Sequence, residues 1–246
     1  MTLSPEEVDA IRSSRRHPRP TQFDYLHLRY MISGLSEVLR GVPDPVRDVL
    51  DVWCGSRPYD DLLPQTARCV GFDVEGNPYG VADVVSDDFL PFADESFDLV
   101  LCIQSFQYVP GPEAAIAEFL RVLRRGGTVV VALPFALEYD PTILERRYTG
   151  PQLVALFDGW MDVRLHEYGG RAVTWTVLTA SMLRNLEKQS TRRSALVALR
   201  PLFLALYTVL NGMGLALAKL EERRVRAGAL PMNLLITAGR AETQEL

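Results

Sequence analysis

The stretch Phe97–Pro134, FDLVLCIQSFQYVPGPEAAIAEFLRVLRRGGTVVVALP, reads as a strand, a helix and a second strand in succession. Leu99, Val100, Leu101, Cys102 and Ile103 are apolar without a break, and so are Val129 to Leu133. Strands with no polar alternation are covered on both faces, which is the condition of a parallel sheet. Between them, Pro112–Arg125 puts Ile116, Phe119, Leu120 and Leu123 on one stripe, while Glu113, Arg121, Arg124 and Arg125 face solvent. Arginines in the last turn and Gly126–Gly127 beyond it suit the negative end of a helix dipole and its cap. Parallel strands joined by a helix imply a right-handed crossover.

Working outward, the same alternation continues. Asp48–Val52 and Cys69–Val74 read as strands on the N-terminal side. Gly150–Leu156 reads as a helix, and Met161–Tyr168 and Asn233–Gly239 as strands, on the C-terminal side. The pattern predicts a doubly wound α/β sheet, mostly parallel and Rossmann-like, with helices on both faces. A helix from Gln22 to Arg40 precedes the sheet and stops at Gly41. Residues 1–20, with Arg15, Arg16, His17 and Arg19, read as a flexible basic arm. An apolar helical insertion, about 170–230, comes before the last strand. The expected organisation is a single domain over 1–246, with an N-terminal arm and helix (1–45), a core (46–168), the insertion (170–230) and the last strand (232–240).

Composition narrows the functional classes. The 48% hydrophobic and 23% charged fractions are those of an ordinary globular chain. A net charge of −5 gives no global attraction to nucleic acid. Cys54, Cys69 and Cys102 lack the paired spacing of a zinc site or a disulfide framework, and with only three histidines no metal is expected. They read as small buried hydrophobes in a reducing compartment. Met1–Arg19 lacks the apolar core of a signal peptide, so the expected localisation is cytoplasmic.

Three segments carry candidate chemistry. In Val49-Leu50-Asp51-Val52-Trp53-Cys54-Gly55-Ser56 a strand runs into a tight turn, where Gly55 lets the backbone approach a ligand and Asp51 can serve an ammonium group. Asp73 ends the next strand 22 positions later, the range in which such folds place a carboxylate for ribose hydroxyls. In Asp87-Asp88-Phe89-Leu90-Pro91-Phe92 a carboxylate precedes an apolar turn that can read an adenine ring edge.

LPFADESFDLVLCIQSFQYV and EFLRVLRRGGTVVVALP, together with DVWCGSRPY and ADVVSDDFLPF, resemble the class I S-adenosylmethionine (SAM)-dependent methyltransferases related to the ubiquinone-biosynthesis type. The resemblance covers about residues 46–135 and implies a seven-stranded sheet with SAM at the carboxyl ends of the strands. Carried over by position, it implies Asp51, Trp53 and Gly55 at the methionine end, Asp73 and Val74 at the ribose, and Asp87 or Asp88 with Phe89 at the adenine. It puts Gln104 near the sulfonium. Two departures stand out: Trp53 replaces the usual glycine, and Gln107-Tyr108 replaces the usual Glu-His. The first reshapes the pocket, and the second removes a titratable pair beside the methyl donor.

The expected function is methyl transfer from SAM to a small-molecule, glycan or lipid-linked acceptor at oxygen. The alternative is a non-catalytic SAM-fold scaffold or membrane-associated binding protein. A dinucleotide oxidoreductase is disfavoured, because Trp53-Cys54-Gly55-Ser56-Arg57-Pro58 lacks two of the three fingerprint glycines. His27, His166, Glu138, Tyr139 and Asp140 are base candidates near the mouth, with no catalytic residue assigned. Within the insertion, Pro201–Ala218 holds only Thr208 and Asn211 as polar residues. It reads as an ordinary packed helix, a dimer contact, a lid over an apolar substrate, or an interfacial helix flanked by Arg192, Arg193, Arg200, Lys219, Arg223, Arg224 and Arg226. Peripheral membrane contact and a homodimer through 195–220 both follow as possible partners.

Overall fold

A computed structural model describes residues 2–87, 90–138, 142–191, 198–224 and 230–242. Asp88, Phe89, Tyr139, Asp140, Arg192, Arg193 and Arg226, singled out above, lie outside the described residues, as do the side chains of Arg223 and Arg224. The strands are β1 (Asp48–Val52), β2 (Arg68–Asp73), β3 (Val84–Val85), β4 (Phe97–Ile103), β5 (Leu123–Pro134), β6 (Met161–Tyr168) and β7 (Asn233–Gly239). They form one seven-stranded sheet in the order β3-β2-β1-β4-β5-β7-β6. The pairs from β3 to β5 are parallel, and β7 runs antiparallel to both β5 and β6.

The unbroken apolar runs have the predicted cause. Side chains alternate across a strand, so successive residues feed two separate cores. Val49, Leu99, Leu101, Val130, Ala132 and Leu235 pack beneath helix α2 (Tyr25–Arg40), through its Leu28, Met31, Leu35 and Val38. Their neighbours Leu50, Val100, Cys102, Val129, Val131 and Ile236 pack on the other face, beneath α3 (Pro112–Val122) and α4 (Gly150–Ala155). Cys54 and Cys102 are buried and Cys69 half-buried, all three as free thiols.

Four expectations need correction. The basic arm is largely helical: α1 spans Pro5–Arg16, with Ser4 and Glu7 forming a reciprocal capping box and Pro5 in the first turn. The cap satisfies orphan N–H groups, and Glu6, Glu7, Arg15 and Arg16 sit where the helix dipole favours them. Helix α3 stops at Val122, short of the predicted Arg125, because residues 123–125 belong to β5 and Leu123 pairs with Phe97. Leu120, expected in its apolar stripe, is exposed, and Ala115, Ile116, Phe119 and Val122 form the buried face instead. Finally, α2 begins at Tyr25 and is buried on more than one side, since the insertion packs against it opposite the sheet.

The insertion consists of α5 (Arg171–Thr191) and α6 (Arg200–Arg224). Backbone N–H groups of Arg171 and Ala172, at the start of α5, donate to Glu221 near the end of α6. Tyr207 Oη, near the start of α6, donates to Glu187 near the end of α5 at 2.8 Å. The pair is therefore an antiparallel hairpin.

Candidate cofactor site

The carboxyl ends of β1, β2 and β4 meet around the turn Trp53-Cys54-Gly55. Trp53 and Gly55 both take left-handed backbone conformations, with φ of 53° and 56°. The turn is tied to both neighbouring strands. Gly55 N–H donates to Asp73 Oδ2 at 2.9 Å, and Ser105 Oγ donates to the Trp53 carbonyl at 2.9 Å. A Cβ built on Gly55 would find only Tyr79, at 3.8 Å, so the outer side of the turn is open.

Asp73 is buried and does more than wait for a ligand. Its Oδ2 also accepts from Asn77 Nδ2, and its Oδ1 from the Val74 N–H at 2.9 Å. Cys54 Sγ also approaches Oδ2, at 4.0 Å, whereas Oδ1 has the one donor and keeps a lone pair for another. Arg57 braces the far side: Nε lies 2.9 Å from Asp60, Nη1 lies 2.6 Å from Asp83, and Nη2 donates to the Cys69 carbonyl at 3.1 Å. Asp87 Oδ1 accepts from the Glu75 N–H at 2.9 Å, which draws the loop before Leu90 toward the end of β2.

Asp51 points to the α2 side of the sheet and has no hydrogen-bond partner among the described residues. Burial, and then the nearby charge of Asp60, push its pKa up to about 8, with Arg57 opposing. Its carboxyl is thus held mostly neutral near pH 7. Trp53 lies partly buried against Phe119, with ring centroids 6.0 Å apart, on the α3 side. Gln104, at φ 59°, leaves β4 with its N–H on the Ala132 carbonyl and its Nε2 3.4 Å from Asn233 Oδ1.

The base candidates separate in space. His27 is buried beside Gln104; desolvation first, and the charge of Arg15 second, push its pKa down to about 4, against a hydrogen bond with the Gln104 side chain. His166 does not reach the mouth. It stacks on Tyr168 at 6.3 Å, borders a groove with Glu37, Met161 and Gly239, and belongs to β6, the edge strand that lies four strands from β1. The period of two puts it on the sheet face beneath α2, and pairing with Leu235 fixes its height. Glu138 accepts from Asn185 Nδ2 of α5 at 2.8 Å, which ties the loop after β5 to the insertion.

Two features went unread in the sequence. Arg12 Nε of α1 donates to the Ser56 carbonyl, and Arg16 pairs with Asp61 at 2.7 Å, so α1 lies across the turn after β1. The capping box Ser4-Pro5-Glu6-Glu7 was the available signal for this helix. Ser56 Oγ, Gln107 Oε1 and His27 Nδ1 are buried without a hydrogen-bond partner among the described residues. Such groups cost about 1–3 kcal/mol each when left unpaired.

Residues 50–131 match the protein-family model described as "Methyltransferase domain". The malonyl-[acyl-carrier protein] O-methyltransferase of Methylococcus capsulatus is 35% identical over 120 residues, 43% of this chain and 42% of that protein. The sterol 24-C-methyltransferase erg6 of Schizosaccharomyces pombe is 31% identical over 130 residues, 50% of this chain and 34% of that protein. The chain therefore spans less than half the length of these curated relatives. In fold, it is similar to a putative sarcosine dimethylglycine methyltransferase from Galdieria sulphuraria, with a TM-score of 0.53 at 17% identity, covering 98% of this chain and 92% of that one. The matched segment spans the β1 turn, β2 and β4, in a sheet with one antiparallel strand inserted next to last, so over this core the chain is similar to SAM-dependent methyltransferases.

Proposed function

We propose that the chain, read as one domain, transfers a methyl group from SAM to an oxygen of an apolar or lipid-linked acceptor. The observation that carries this reading is the turn Trp53-Cys54-Gly55, open on its outer side and flanked by a buried neutral carboxyl and three unpaired polar atoms. That donor set suits SAM. Asp51 meets the methionine ammonium, Asp73 and Val74 the ribose, Asp87 the adenine amino group, and Gln104 faces the sulfonium. Asp88 and Phe89 keep their assignment by position alone.

SAM when bound supplies a sulfonium methyl, already a strong electrophile. What the chain adds is orientation and exclusion of water, effects worth roughly 7–11 kcal/mol at best. Glycine at residue 55 lets the backbone come close, and α1 covers the turn through Arg12 and Arg16. His27, with its pKa pushed down to about 4, is a weak proton acceptor. The acceptor that suits it has an oxygen already ionised near neutral pH, such as a carboxylate or an acidic hydroxyl. The malonyl-[acyl-carrier protein] O-methyltransferase among the relatives fits an oxygen acceptor, while the sterol 24-C-methyltransferase fits only the apolar part of this reading, its methyl going to carbon.

Calorimetry with SAM tests the cofactor assignment. Asp73→Ala should weaken binding by about ten- to a hundredfold, since a charge-assisted hydrogen bond contributes about 1.5–3 kcal/mol. Unchanged affinity in a folded Asp73→Ala protein removes the ribose assignment. SAM binding without turnover on long-chain carboxylate or acidic-hydroxyl acceptors would favour the non-catalytic scaffold, which the Trp53 and Gln107-Tyr108 departures keep in play.

A further inference from the structure

Helix α6 is apolar on all sides, yet only one stripe of it is buried. Phe203, Tyr207, Asn211, Gly214 and Ala218, spaced three or four apart, form that stripe. It is fixed in place: Asn211 Nδ2 donates to the carbonyls of Pro20 and Gln22 at 2.8 and 2.9 Å, and Tyr207 bonds Glu187 on α5. Outward face Leu206, Val209, Met213 and Leu217, with Val209 61% and Met213 57% exposed. On α5, Trp175 and Met182, 70% and 71% exposed, stand at helical spacing on the same outward side. An open cleft of about 490 Å³ between Trp175, Thr179, Leu210 and Leu217 joins the two helices into one surface.

An apolar surface this continuous marks an interaction site on a soluble fold. Segment Arg200–Glu221 is long and apolar enough to cross a membrane, and only 28% of it is buried. Crossing would break the Asn211 and Tyr207 bonds and pull α6 from α2, so the outward face lies along a surface instead of through one. Charge selects that surface. Between residues 171 and 226 there are ten basic residues and three acidic ones, in a chain whose net charge is −5. A second copy would bring two such basic segments together, whereas an anionic lipid headgroup layer neutralises them.

We propose that the outward face of the α5/α6 hairpin docks on the interface of an anionic bilayer, with Trp175, Val209 and Met213 entering the acyl boundary. The docked face adjoins the site. Gly214 of α6 touches Leu26, the neighbour of His27, and Leu137 after β5 packs with Val173 and Val177 of α5. An apolar acceptor would thus travel a short path from bilayer to site. Only this last step rests on the methyltransferase reading.

Co-sedimentation with phosphatidylcholine vesicles, with and without phosphatidylglycerol, tests the proposal on the full chain. The wild type should pellet with anionic vesicles at low salt, and binding should fall about tenfold or more as salt screens the arginines, with an apolar remainder. Trp175 emission should shift to the blue on binding, and Trp175→Phe should lose that shift while still pelleting. Val209→Asp with Met213→Asp should stay in the supernatant at an unchanged thermal midpoint; if that pair lowers the midpoint, Trp175→Ser with Met182→Ser replaces it. Wild type that remains in the supernatant at low salt overturns the proposal. So does a folded double variant that pellets like wild type, or a vesicle-free dimer that the substitutions dissociate. SAM affinity of the same preparations separates the two readings: intact affinity without vesicle binding overturns the docking surface alone.

Discussion

At the residue scale, the turn after β1 carries a conflict that its sequence makes visible. Trp53 occupies a left-handed conformation that costs a side chain bearing Cβ roughly 1–2 kcal/mol relative to glycine. The indole offsets that cost by packing on Phe119 in the core beneath α3. Trp53→Gly therefore removes strain and packing together. We expect SAM affinity to be kept or improved and the thermal midpoint to fall, read by calorimetry and by thermal denaturation. A large loss of affinity would mean that the indole itself forms part of the binding surface. Asp51 shows the opposite balance: its carboxyl is buried on the α2 side of the sheet, where charging it is costly.

Two glycines of α6 separate packing from propensity at the element scale. A Cβ on Gly214 would lie 2.5 Å from Thr176 Oγ1 and 2.7 Å from Leu26 Cδ1, so the hairpin approaches α2 as closely as it does only because nothing projects there. A Cβ on Gly212 would meet nothing within 4 Å. Glycine inside a helix costs about 1 kcal/mol relative to alanine, while overpacking costs about 1–3 kcal/mol. Gly212→Ala should therefore raise stability and Gly214→Ala should lower it, both read from chemical denaturation midpoints. Equal shifts would mean that the hairpin does not rest on α2 as described.

Over the whole molecule, two buried groups on the α2 side set opposing pH dependences. His27 has its pKa pushed down to about 4, against about 6.5 in an unfolded chain. Between those values only the unfolded chain takes up the proton, so stability falls as pH drops through that window. Asp51 has its pKa pushed up to about 8, against about 3.9 unfolded. Its contribution is complete below the unfolded value and is lost as pH rises toward 8. From pH 6.5 to 8 the Asp51 effect stands without that of His27. Asp51→Asn should gain about 2 kcal/mol on the wild type across that interval, measured by urea denaturation at both pH values. Parallel curves would show that Asp51 is already ionised in the folded protein.

The sequence by itself determined the sheet. Leu99–Ile103 and Val129–Leu133 are apolar without alternation, and such strands are stable only with helices on both faces. It also marked the loops at Gly55 and Asp73, because a tight turn and a strand-end acid are local features. The end of α3 was beyond local signals: Arg124 and Arg125 favour a helix, and pairing of Leu123 with Phe97 overrode that preference. The reach of each histidine was decided by tertiary structure alone, since strand order leaves His166 on the edge strand, four strands from β1, while α2 brings His27 to Gln104. Pro201–Ala218 was legible as apolar, but not as exposed. Which stripe is buried depends on Asn211 and Tyr207 finding partners in 20–22 and α5, contacts that no local pattern encodes.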